Sequence, residues 1–110
     1  MIPTQGFFTY KKLIKRYMKV NLNKHFKGLD GQDMPGGTML ELLERGLFSG
    51  AGVGNNDEDK FAAYKLCNRL VNEGSGEMEF DKDERKLLRS VACASLTPGA
   101  FGQVVELIKD

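Results

Sequence analysis

The chain contains no tryptophan, one histidine and two cysteines among 110 residues, and each scarcity removes a class of chemistry. His25, Cys67 and Cys93 are too few for a structural zinc site, which takes four nitrogen or sulfur ligands. With no second histidine, a Ser/His/Asp relay has a single candidate base, and His25 stands between Lys24 and Phe26 with no acid or nucleophile beside it. It reads as a solvated histidine. No apolar run approaches the roughly 18 to 20 residues that cross a bilayer, and the N-terminus has no unbroken apolar stretch of the secretory type. What remains, 41% hydrophobic and 28% charged residues in 110, is the makeup of one globular domain. The expectation is a soluble cytoplasmic protein with no membrane partner.

Acidic residues are absent from the first 27 positions, which carry Lys11, Lys12, Lys15, Arg16, Lys19, Lys24 and Lys27. The overall charge of +1 therefore hides a +7 segment joined to a remainder of −6. Such asymmetry suits a nucleic-acid contact, and it equally suits an arm that packs against its own acidic body. Aromatic residues (Phe7, Phe8, Tyr10, Tyr17) interleave with the cations, a mixture able to grip phosphates and stack bases. Lys11, Lys12, Lys15, Arg16 and Lys19 are accordingly the candidate nucleic-acid contacts. No catalytic, cofactor or metal residues are assigned.

The apolar spacing divides the chain into elements. Tyr10, Leu13, Ile14 and Tyr17 recur at steps of three and four, so residues 1–17 form a basic extension containing a short amphipathic helix. From Met18 the period becomes two, with Val20, Leu22 and Phe26 facing inward, and Asp30-Gly31 supplies the tight turn of a hairpin returning through Gln32 to Met34. Thr38 and Glu41 form a capping box opening a helix with Met39, Leu40, Leu42, Leu43, Leu47 and Phe48 on its apolar face, and Gly46 is placed at its C-terminal turn. Residues 49–56, rich in glycine, read as a flexible connector in which Gly52→Ala is nearly neutral.

Asn56 or Asp57 caps a second helix with Phe61, Tyr64, Cys67, Leu70 and Val71 at core spacing. Residues 77–80 alternate as a short strand, the third of the sheet. Asp81 and Glu84 open a helix burying Leu87, Leu88, Val91 and Ala92, and Pro98 opens a last helix with Phe101, Val104, Val105 and Ile108. The fold class is α+β, a short antiparallel sheet of a hairpin plus one strand covered by about four helices, with residues 18–110 as a single domain.

Three motifs are set aside on chemical grounds. Gly50, Gly52 and Gly54 resemble a phosphate loop, yet a helix precedes them and Asp57, Glu58 and Asp59 follow where a Walker loop needs Lys and Ser or Thr. The same acids lack the alternating ligands of a calcium loop and serve a helix start instead. Cys67 and Cys93 read as small core hydrophobes.

The run Met18-Lys19-Val20-Asn21-Leu22-Asn23-Lys24, followed by Leu29-Asp30-Gly31, resembles the start of small accessory proteins of tailed phages and prophages. The resemblance continues through Ala63-Tyr64-Lys65-Leu66, the Glu77-Met78-Glu79-Phe80 strand, the Asp81-Lys82-Asp83-Glu84 helix start and the closing run from Gly102 to Ile108. It covers residues 18–110 and leaves 1–17 without counterpart. It implies a non-enzymatic protein that binds a host or phage macromolecule, within the host cell or on the virion, and carries no site residues across. Two other functions compete with it: a nucleic-acid-binding regulator using the basic arm, and a small-ligand (nucleotide signal) sequestering protein whose pocket would be built by a homo-oligomer.

Overall fold

A computed structural model describes residues 19–109. The expected arm, with Lys11, Lys12, Lys15 and Arg16, lies outside them. The element order is β1 (Lys19–Asn21), α1 (Met39–Ser49), α2 (Asp57–Glu73), β2 (Glu77–Glu79), α3 (Lys82–Ser95) and α4 (Pro98–Ile108), an α+β arrangement. β1 pairs antiparallel with β2, setting Lys19 opposite Glu79, Val20 opposite Met78 and Asn21 opposite Glu77. Val20 and Met78 point into the core while their neighbours face solvent, the period-two pattern of a half-buried strand.

The two strands come from opposite halves of the domain, which corrects the expected hairpin. Asn21 Oδ1 accepts from the Asn23 amide at 2.9 Å, and Leu22 O accepts from the Lys24 amide at 2.9 Å, so the backbone turns away after Asn21. Leu22 O and Lys24 O then accept from the Leu40 and Met39 amides, each at 2.9 Å. These are among the helix's own orphan donors, so residues 22–24 are tied to the start of α1 instead of to a return strand. The Asp30-Gly31 turn does form, with Gly31 at φ +78°, but it closes only a single bridge between Lys27 and Asp33. An exposed ion pair of 2.5 Å joins those two side chains and holds the Asp33 carboxyl below its ordinary range.

The helix starts follow the sequence closely. Thr38 Oγ1 accepts from the Glu41 amide at 3.2 Å while Glu41 Oε1 accepts from the Thr38 amide at 2.9 Å. Asp81 and Glu84 repeat that reciprocal pair at 2.8 and 3.0 Å. Asn56 caps α2 and Thr97 caps α4 ahead of Pro98. Thr38→Ala and Asp81→Ala should each lower stability by about 1 kcal/mol, read as a fall of roughly 4–8 °C in a calorimetric melt. The Glu41 carboxyl is held below its usual range, chiefly by the Thr38 amide. Its capping contribution is therefore complete at neutral pH and disappears as acidification carries the pH through that lowered value.

The helices and sheet share one core, whose fully buried centre is Leu22, Leu43, Leu66, Leu70, Leu88, Val91 and Val104. Gly46 is not at the end of α1, as its position in the sequence suggests. The helix runs on to Ser49 and is capped by Gly50 at φ +87°. A Cβ on Gly46 would stand 2.5 Å from Val91 Cγ1, so glycine is needed for α1 to approach α3.

Candidate functional site

α2 turns a different face to the core from the one its apolar spacing suggests. Ala63, Leu66, Cys67 and Leu70 form its buried face. Phe61, Tyr64 and Val71, expected in the core, are instead 57%, 60% and 63% exposed. The smaller side chains of Ala63 and Cys67 explain the rotation, because they let α1 lie close. Cys67 Sγ donates to Glu44 O at 3.6 Å, and a Cβ on Gly74 would meet Leu40 Cδ1 at 2.4 Å. The beginning of α1 thus lies against the end of α2, and the two helices run antiparallel.

That pairing places the end of α1 beside the first turns of α2. Phe48, also expected in the core, is 88% exposed there. On α2 the Phe61 and Tyr64 rings stack with centroids 5.9 Å apart and planes inclined by 20°. Lys65 Nζ sits 5.1 Å from the Phe61 centroid, a cation over an aromatic face. Phe61, Tyr64 and Val71 share one solvent-facing stripe of α2, and Phe48 is a fourth exposed apolar side chain of the α1–α2 pair, all turned away from the core. The sequence carries a trace of it: residues 61, 64 and 71 lie on a second helical stripe beside 63, 66, 67 and 70. One buried face cannot hold both.

The opposite flank of α2 is structural. Arg69 donates to Glu84 Oε2 at 2.6 Å and to Glu79 O at 3.0 Å, and its guanidinium lies 5.6 Å from the Phe80 centroid. This one side chain ties α2 to β2 and α3, and the Glu84 carboxylate raises its already high pKa. Burial also raises the Cys67 thiol and, on α1, the Glu44 carboxyl. Lys19, the candidate nucleic-acid contact among the described residues, is exposed in β1 opposite Glu79. His25 is exposed.

Two further corrections concern the glycine loop and Cys93. The loop is fastened to α3, because Ser90 Oγ donates to Gly52 O at 2.6 Å and Val53 packs against the core. Cys93 is exposed on α3, not packed inside. It shares a groove of about 460 Å³ with Lys86, Arg89 and Phe101, which sequence spacing did not single out. Among the described residues no group of three or more His, Cys, Asp or Glu side chains is placed to hold a metal ion, and no helix is long and apolar enough to cross a membrane. Compared with known proteins, the chain matches no family model, no curated protein and no solved structure.

Proposed function

We propose that the chain is a non-enzymatic, phage-type accessory protein that acts by binding a host or phage protein through the Phe48, Phe61, Tyr64 and Val71 surface. The observation that carries this reading is the stacked Phe61–Tyr64 pair, more than half exposed on a helix whose other side buries Leu66 and Leu70. Clustered apolar groups on a protein surface gain most when a partner removes them from water, and aromatic residues dominate interface energetics. The hydroxyl geometry supports a binding role over hydrolysis. Ser49, Ser90 and Ser95 donate to backbone carbonyls at Gly46, Gly52 and Val91, and none of these bonds engages a base.

The test is affinity capture from host lysate with immobilised full-length protein, compared with a Phe61→Ser, Tyr64→Ser variant. Both rings are largely solvated, so the variant's stability should stay within about 0.5 kcal/mol of the parent's. Retention of the captured protein should fall by roughly 30-fold or more, the loss expected when about 2 kcal/mol of interface contact is removed. Capture that persists undiminished in the folded variant would remove this surface from the binding site.

A further inference from the structure

A second surface lies between the glycine loop, α3 and α4, with a different chemical character. Residues 86, 89, 90, 93 and 94 occupy one stripe of α3, and Phe101 of α4 closes the groove they line. Its volume, about 460 Å³, falls within the range of small-molecule sites. Phe101, half-buried, and Ala94 supply an apolar wall. Lys86 and Arg89 line the groove as well, and neither takes part in an ion pair among the described residues. No acid lines it. In a segment whose net charge is −6, this is an acid-free concavity with two cations.

We infer that this groove binds a small aromatic anion, its ring against Phe101 and Ala94 and its anionic group held by Arg89 and Lys86. The guanidinium presents paired donors matched to a phosphate-type oxyanion, and the lysine adds a point charge. The Ser90 hydroxyl is already spent on Gly52 O, so specificity for the anion falls to the two cations. Neither half of the ligand suffices: phosphate alone leaves the apolar wall wet, and a neutral ring leaves the cations without a partner. The site is separate from the aromatic surface on α1 and α2, and the inference does not rest on partner binding there.

Cys93 provides the reporter, because it is exposed at the groove while Cys67 is buried elsewhere. Full-length protein is alkylated with iodoacetamide, and each cysteine's rate is followed by peptide mass spectrometry with 1-naphthyl phosphate, 1-naphthol or inorganic phosphate present. Each rate is expressed relative to the same protein without additive. Naphthyl phosphate should slow Cys93 by about fivefold once it stands near four times its dissociation constant, with Cys67 unchanged. Naphthol and phosphate at that concentration should leave Cys93 within about twofold, and a Lys86→Ala, Arg89→Ala variant should lose the protection. No protection by naphthyl phosphate at about 10 mM, equal protection by either half alone, or protection that survives the double substitution would each overturn the assignment.

Discussion

Leu70→Asp and Val104→Asp are each expected to abolish the cooperative thermal transition followed by circular dichroism. Both positions are 0% exposed, one near the C-terminal end of α2 and the other near the middle of α4. No polar or charged residue is buried among the described residues, so the new carboxylate would find neither a cation nor a donor in the core. It must either desolvate as an ion, at a cost of several kcal/mol, or take up a proton and remain unbonded. Against a total stability of about 5–15 kcal/mol, either route is enough to unfold a domain of this size. Leu70→Ala separates packing from charge: it should cost about 2–5 kcal/mol and keep a cooperative melt at lower temperature. A native-like melt for both aspartate variants would mean that these helices bury other faces.

Gly52→Ala should lower the melting temperature by roughly 10 °C, reversing the near-neutral effect that its place in a glycine-rich connector suggests. Two independent costs meet there. Gly52 sits at φ +71°, where a Cβ costs about 1–2 kcal/mol in steric strain. That Cβ would also stand 2.3 Å from Ser90 O, a backbone atom of α3 that cannot swing aside. Relief requires the loop to lift, which weakens the Ser90 Oγ bond to Gly52 O. Gly76 is the control: its φ is not positive and nothing lies within 4 Å of its would-be Cβ, so Gly76→Ala should change stability by less than about 0.5 kcal/mol. Equal melting temperatures for the two variants would show that the loop's contact with α3 carries no stability.

The signals that proved readable in the sequence are those whose partners lie within one turn. Thr38 with Glu41, Asp81 with Glu84 and Pro98 after Thr97 each mark a helix start through bonds three residues long, and each is present in the structure. Where the decisive partner was distant, the reading failed. Val20 pairs with Met78, not with a neighbour across the Asp30-Gly31 turn, because the carbonyls of Leu22 and Lys24 are taken by the start of α1. Gly46 and Gly52 look alike in sequence to terminators and linkers, and their purpose appears only when Val91 and Ser90 arrive from α3. The aromatic surface was half legible. The helical period of Phe61 and Tyr64 was evident, but which of two neighbouring stripes faces the core depends on how close α1 can come past Ala63 and Cys67.

The pairing of β1 with β2 also sets an order of events as the chain is made. About 60 residues separate Val20 from Met78, whereas α1 meets α2, and α3 meets α4, across short connections. Local helix pairs carry a small loop-closure entropy and can assemble early, but β1 must wait until residue 79 has left the ribosome. Until then Val20, buried in the finished domain, lacks its strand partner Met78. The strand that begins the domain thus stays unpaired while more than half of the domain is made, and the interval before closure is when the nascent chain is most open to aggregation.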